Sequence, residues 1–446
     1  MKQNHTLVEG KIRPTLLAFV GSFLLATIMQ ALYGAVDLLV VGQFADSAGV
    51  SAVAIGGQVM QTVTGIILGV STGGTVVIAQ YIGARKKGRA GQAVGNVIAL
   101  FIVIAIVLTG IMLVLTTGII KILQTPVEAV EYTKSYLRIC AFGIPFIVGY
   151  NGVSGILRGF GDSKTPVMFI GIACVVNILG DLLLVGGFHM GAAGAAIATV
   201  AAQGISLIIA IVYLSKKGFP VPFYRAWIGF KAGQSLRILK IGSPIAVQDG
   251  LVNISFLIIT GIINTMGLTA SASVGIVEKI IIFAMLVPTA FASAVSVMVA
   301  QNVGAKRMDR GKSSLWNGVV LSLICGTVIC IYCQFAPETL TGLFSKDSQV
   351  IEMGALYLRT YSIDCILVAL VFCMNGFFAG CGYSLFSLIH SLLATFCIRV
   401  PLSYFLSKQP DTTLLEMGMA LPLSSCLSIV LCLIYIKVGK GFKDNH

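Results

Sequence analysis

Four polar side chains set in otherwise apolar stretches are the residues of this sequence best placed to do chemistry: Asp37, Asn177, Asp181 and Thr199. Ionisable groups inside long apolar runs are costly and mark function by default. Asp37 lies about seven residues, roughly 10 Å at 1.5 Å per residue, below the outer end of the first run. Asp181 lies about six residues below the outer end of the fifth, and Thr199 about eight residues into the sixth. Counted from three different ends, the three reach a similar depth. Asn177 precedes Asp181 by one helical turn, on the same face, and Gln30, Tyr33 and Asp37 form a stripe at i, i+3, i+7. Two carboxylates at one depth have two uses. Repulsion between buried carboxylates lets one of them take up and release a proton. Alternatively, carboxylate, amide and hydroxyl oxygens together form a hard shell suited to Na⁺, by analogy with other hard cations.

The second half carries different groups. Glu278 and Lys279 fall within the eighth run, Asp364 in the tenth and Arg399 in the eleventh. Their opposite signs suggest neutralised pairs that hold a bundle together, with a role in contacting substrate as the alternative. Asp249, in the seventh run, is placed to line a cleft open to the cytoplasm. His390 is a lone histidine, expected to be packed rather than reactive. Eleven cysteines lie almost wholly in apolar stretches and read as small hydrophobes. Cys330 and Cys333 form an isolated CxxC on an apolar helix, neither a zinc nor a redox site. No GxxxxGK[ST] loop is present, so ATP is not a partner, and HExxH is missing too. The chain is not expected to be an enzyme or to carry a cofactor.

The elements that position these residues follow from composition. Of 446 residues 57% are hydrophobic and 11% charged. This excludes a disordered chain, a soluble enzyme and a secreted disulfide scaffold. Fifty glycines without a Gly-X-Y period fit close helix packing in lipid. Twelve runs are long enough to span a bilayer as helices: 14–42, 51–80, 92–118, 131–157, 165–187, 192–214, 236–262, 271–300, 314–334, 352–378, 384–406 and 413–436. Met1–Arg13 is polar and the first run is long, so no cleavable signal is expected. The net charge of +13 sorts by side: with the N-terminus inside, 22 Lys and Arg fall in inner segments and three in outer loops. That asymmetry places both termini in the cytoplasm and removes nucleic acid as a partner.

The chain also repeats itself at an offset of 221 residues. Ala79-Gln80-Tyr81-Ile82-Gly83-Ala84 matches Ala300-Gln301-Asn302-Val303-Gly304-Ala305. Arg89 meets Arg310, Asn96 meets Asn317, and Gly155, Gly159 and Gly161 meet Gly376, Gly380 and Gly382. Six spans per half is an even number, so the repeats run parallel. The expected fold is an all-α integral membrane protein of twelve transmembrane helices in two pseudo-symmetric six-helix bundles. The expected lobes are 1–214 and 236–446, joined by a basic cytoplasmic linker, 215–235. Two parallel bundles about a cleft are an architecture of alternating-access transporters.

These features resemble the multidrug and toxic compound extrusion (MATE) family, and the bacterial MepA-like members most. The resemblance rests on the twelve spans in two halves, Val36-Asp37-Leu38-Leu39-Val40-Val41-Gly42, the paired Ala-Gln-x-x-Gly-Ala blocks, and Leu157-Arg158-Gly159-Phe160-Gly161-Asp162-Ser163-Lys164-Thr165-Pro166. It implies a V-shaped secondary active multidrug exporter in the cell membrane. Such a protein antiports organic, often cationic, amphiphilic compounds against inward H⁺ or Na⁺. It further implies that Asp37, Asn177, Asp181 and Thr199 form the coupling site, and the metal site if the ion is Na⁺. Gln30 and Tyr33 would be neighbours, with Asp249, Glu278, Asp364 and Arg399 at or near the substrate cleft. Small organic substrates and membrane lipid are the implied partners, and one chain is a sufficient unit. A flippase for lipid-linked precursors and a membrane-embedded protein without transport are the alternatives. Two positions depart from the pattern. Eight residues after Pro244, where one branch has a glutamate, stands Val252. Where many relatives have a first-helix proline, this chain has Gly21-Ser22, a pair that can itself kink a helix.

Overall fold

A computed structural model describes residues 7–409 and 412–439. Twelve long helices account for nearly all of them: α1 (Ile12–Phe44), α2 (Ser47–Gly83), α3 (Lys87–Ile122), α4 (Val127–Gly159), α5 (Lys164–Gly187), α6 (Gly191–Lys217), α7 (Ala232–Asn264), α8 (Leu268–Gly304), α9 (Met308–Phe335), α10 (Ser348–Cys381), α11 (Ser384–Ser407) and α12 (Leu414–Val438). Eleven contain the whole expected run, the twelfth begins one residue inside it with Thr413 as its cap, and most extend past the run at one or both ends. A helix satisfies every internal N–H and C=O by itself, which a bilayer demands. It therefore continues until a capping group or a turn ends it.

Some of the starts are fixed by side-chain caps. Asp46 Oδ1 accepts from Gly49 N at 2.8 Å ahead of α2. Asp162 accepts from Thr165 N at 3.0 Å and from its hydroxyl at 2.6 Å, opening α5. Thr413 and Glu416 form a reciprocal capping box at the start of α12. Gly382, in the left-handed region at φ +88°, ends α10. Two helices contain a π-helical turn, Leu182–Gly187 in α5 and Ala394–Arg399 in α11. Periodicity in the sequence does not reveal such turns, because a single extra residue per turn leaves an apolar helix apolar all round.

The repeated glycines are points of close helix approach. A Cβ on Gly155 of α4 would stand 2.3 Å from Ser71 Oγ of α2, and one on Gly376 of α10 would stand 2.3 Å from Ala292 O of α8. Around Gly155, Ser71 donates to Asn151 O at 2.9 Å and Thr75 to Gly155 O at 2.9 Å. Small residues let backbones meet where lipid supplies no hydrophobic drive for association.

The chain forms two compact units. One is Gly21–Ala246. Its interior includes Tyr150, Leu157, Phe169, Ile170 and Ala210. The other joins the described part of Met1–Val20 to that of Val247–His446, with Ile263, Val274, Val277, Tyr357, Leu358 and Tyr361 in its interior. Both borders fall inside helices, so α1 and α7 each contribute to both units.

Candidate cation site in the first repeat

Helices α1, α5 and α6 bring the four sequence-selected residues together inside the unit Gly21–Ala246. Asp37 is 6% exposed, Asn177 1% and Asp181 0%, while Thr199 is half-buried. The contact between α5 and α6 is made tight by Gly180, where a Cβ would lie 2.9 Å from that of Ala198. That approach brings the polar side chains of α5 and α6 close, so that Asn177 reaches Thr199.

The hydrogen bonds run in one chain. Asn177 Nδ2 donates to Thr199 Oγ1 at 3.3 Å, and Thr199 Oγ1 donates to Asp37 Oδ2 at 3.2 Å. The carboxyl groups of Asp37 and Asp181 neighbour one another. Four acceptor oxygens are then left buried without a partner: Asp37 Oδ1, Asn177 Oδ1 and both carboxyl oxygens of Asp181. Buried polar atoms are nearly always satisfied in native proteins, so four in one place call for a positive species among them. A proton shared between the carboxyl groups or a small hard cation meets that need. Among the described residues no group of three or more His, Cys, Asp or Glu could hold a metal ion. The donor set here, two carboxylates with an amide and a hydroxyl, suits a proton or a weakly held monovalent ion. The π-helical turn begins immediately after Asp181, and such turns are frequent at functional sites.

A second polar tier lies one turn away. Tyr33, half-buried, precedes Asp37 by four residues, and Gln30 lies a further turn back. Gln203 follows Thr199 by four; it is buried and its Oε1 has no partner. Gln30 and Gln203 both flank the Tyr33 hydroxyl. Tyr136 of α4, its ring against Gly56 of α2, borders Asp37 with Cys140. Gln203 and Tyr136 were not singled out from the sequence. Gln203 carries no charge, so a search for ionisable groups passes over it. Its spacing of one turn from Thr199 was the available signal.

In the second repeat the expected direct ion pairs do not form. Asp364 is buried with Oδ1 unpartnered, and no ion pair within 4 Å joins it to Arg399 among the described residues. Arg399 closes the π-helical turn of α11. Its Nε donates to Ser424 Oγ at 3.4 Å, its guanidinium sits 5.1 Å above the Phe256 ring, and its Nη1 is unpartnered. The aromatic face and the serine hold the guanidinium where it senses Asp364 without touching it. Glu278 accepts from Thr260 at 3.3 Å, whereas Lys279, one residue on and about 100° round the helix, is exposed. Asp249 is exposed. His390 is fully buried, packed on Phe386, with Nε2 2.8 Å from Asn375 Oδ1. All eleven cysteines are free.

Comparison with known proteins identifies the family. A profile described as MatE matches residues 23–183 and 244–405, one stretch in each repeat. The chain is 25% identical over 440 residues to "Probable multidrug resistance protein YoeA" of Bacillus subtilis (strain 168), covering 96% of this chain and 95% of that one. It is 24% identical to "Multidrug export protein MepA" of Staphylococcus haemolyticus, over 84% and 82% of the two chains. A solved structure, "Crystal structure of MATE P26A mutant", superposes with a TM-score of 0.92 at 19% identity and 98% coverage of both chains. With twelve apolar helices this is a multi-pass membrane protein, and the chain belongs to the MatE family of multidrug and toxic compound extrusion transporters.

Proposed function

We propose that this chain is a secondary active multidrug exporter, antiporting organic, often cationic and amphiphilic compounds out of the cell against inward H⁺ or Na⁺ by alternating access. The observation that carries this reading is the set of four unpartnered buried oxygens on Asp37, Asn177 and Asp181. An empty acceptor cluster in an apolar interior is unfavourable, so occupancy by the ion changes the packing of α1, α5 and α6. Loading from the outer side and release to the inner side then tie that change to the direction of transport. Thr199 supplies the fourth side chain of the ion site, and Na⁺, if it is the ion, is held by all four. Gln30, Tyr33 and Gln203 present polar atoms beside the site to a substrate. Asp249 and Glu278 offer negative charge to cationic substrates in the second repeat, and Asp364 with Arg399 sets the field there.

The names of the relatives support the substrate class. The bias of Lys and Arg to inner segments supports a cytoplasmic membrane location with both termini inside. One chain holds the whole ion site, which supports a monomer as the working unit.

The test is uptake of a fluorescent cationic dye into liposomes holding the purified protein, under separately imposed pH and Na⁺ gradients, with Asp37→Asn beside wild type. Transport driven by one gradient and lost in the variant supports the reading and identifies the ion. Equal transport by Asp37→Asn at equal protein content would remove the coupling role from this site. Failure of wild type under both gradients would move the substrate class towards lipid-linked precursors.

A further inference from the structure

The paired Ala-Gln-x-x-Gly-Ala blocks and the asparagines Asn96 and Asn317 repeat at the 221-residue offset, yet none of them touches the ion site. Their hydrogen bonds show another use. In the unit containing Val247–His446, Gln301 Oε1 accepts from Leu7 N at 3.0 Å and Asn302 Nδ2 donates to Leu7 O at 3.4 Å. Arg307 donates to Val8 O at 3.1 Å, and Arg310 to Glu9 O and Gly10 O at 3.0 and 2.8 Å. Arg13 Nε donates to Asn317 Oδ1 at 2.8 Å. The stretch entering α1 is thus strapped, mostly by its backbone, across the facing ends of α8 and α9.

The other unit repeats the arrangement with the stretch entering α7. Arg237 donates to Gln80 Oε1, Asn96 Nδ2 donates to Gln234 Oε1 at 3.3 Å, and Asn96 Oδ1 accepts from Lys231 N and the Ser235 hydroxyl. Gly91 and Gly95 admit the backbone of Pro222 and Trp227, whose carbonyl oxygens would stand about 2 Å from an added Cβ. The correspondence extends to single contacts. Arg13 and Gln234 are themselves 221 residues apart, and each meets the asparagine of its own block. The side chains differ and so does the direction of the bond, Arg13 donating to its asparagine and Gln234 accepting from its own, but the same two positions meet.

We propose that these two blocks are matched sockets that pin the first turns of α1 and α7, and that their residues are positioning residues for transport. Helix α1 starts in the unit of its socket, and continues as one helix into the unit where it carries Asp37, about 24 residues or roughly 36 Å further on. Helix α7 does the converse and carries Asp249. A helix whose start is pinned cannot slide when its far half repacks around an ion; the repacking turns or bends it instead. With the socket loose, the start of the helix absorbs the displacement and the ion no longer drives the substrate step. The sockets therefore set the rate of the coupled step and leave substrate binding alone.

The experiment rests on the transport reading for its rate measurement and is independent of it for its exchange measurement. Full-length protein carrying Arg13→Leu, Arg13→Gln or Gln234→Leu is compared with wild type. Maximal gradient-driven dye transport in liposomes, equilibrium dye binding and hydrogen exchange at residues 7–13 and 222–235 are measured. Arg13→Gln removes the same charge as Arg13→Leu but keeps a side-chain amide whose N–H can donate to Asn317, and it is the residue type found at the corresponding position of the other repeat. The expected result is that both Leu variants lose at least about fivefold in maximal rate, bind dye within about twofold of wild type and exchange faster at the strap. Arg13→Gln stays near wild type in all three. Wild-type rates in the Leu variants, an equal fall in Arg13→Gln, or a loss of binding matching the loss of rate would each overturn the proposal. If Arg13→Leu fails to fold, Asn317→Ala, at the exposed rim of the same contact, is judged by the same criteria. If wild type transports nothing, the exchange result decides whether the sockets hold their straps.

Discussion

The interiors of the two repeats use one helical plan for two kinds of electrostatics. In the first, α1, α5 and α6 gather oxygen acceptors without a neutralising side chain: Asp37, Asn177 and Asp181 keep four oxygens unpartnered. In the second, Asp364 has a guanidinium within its field, because Arg399 is held over Phe256 and against Ser424. A site that must bind and release a mobile cation cannot carry a fixed one beside it. A site whose cation is a tethered side chain has nothing to release. The comparison teaches that the two repeats share glycine contacts and helix entries, while their buried acidic groups have different surroundings, and the proposed ion site belongs to the first alone.

The sharpest way to break this contrast is to neutralise one carboxylate in each repeat. Asp181→Asn is expected to lower gradient-driven dye transport by about two orders of magnitude, since it removes charge from the proposed ion site itself. Asp364→Asn is expected to transport within about threefold of wild type with the same ion dependence. Equal losses would mean that both repeats couple. A second comparison concerns the shared scaffold. Gly155→Val and Gly376→Val place a side chain where 2.3 Å of space exists, and each should cost at least the 1–3 kcal/mol typical of about one overpacked site. Thermal unfolding in detergent would show similar drops in Tm for both, whereas a drop in only one would mean the close approach matters in that repeat alone.

A finer test asks whether Asp364 and Arg399 act together. Thermal stability of Asp364→Asn, Arg399→Gln and the double variant forms a cycle, with an expected coupling of roughly 0.5–3 kcal/mol. Additive effects would show that the guanidinium does not serve as the fixed counter-charge. The smallest expected effect is at Gln203. Replacement by Leu removes one unpartnered acceptor next to Tyr33, worth about 1 kcal/mol, so dye affinity should weaken about fivefold while the ion dependence stays as in wild type. An altered ion dependence would instead place Gln203 within the ion site.

Much of the site could be read from the chain because burial in lipid makes polarity conspicuous. A carboxylate in an apolar run has few reasons to be there, and depth can be counted at 1.5 Å per residue from the run's end. Asp37, Asn177, Asp181 and Thr199 stand out this way, and the folded chain makes them neighbours. The same reasoning was less successful with the second repeat. Opposite charges at suitable depths suggested pairs, but depth does not specify azimuth: Glu278 turns to Thr260, and Lys279 faces outward. Neutral polar residues such as Gln203 stand out less than charges, and Tyr136 reads as an ordinary apolar-face aromatic.

The sequence by itself determined the twelve helices, their parallel repetition and the identity of the acidic cluster, because hydrophobic length, a fixed offset and the cost of buried charge are all local or periodic properties. Only the tertiary structure decided which oxygens are left without partners, since that depends on side-chain direction across three helices. It alone located the π-helical turns at Leu182–Gly187 and Ala394–Arg399, where the backbone shifts by one residue without changing composition. It also decided that the repeated Gln and Asn residues grip the entries to α1 and α7. Those contacts join residues some 140 to 300 positions apart, and no local pattern encodes which distant backbone will come to rest against them.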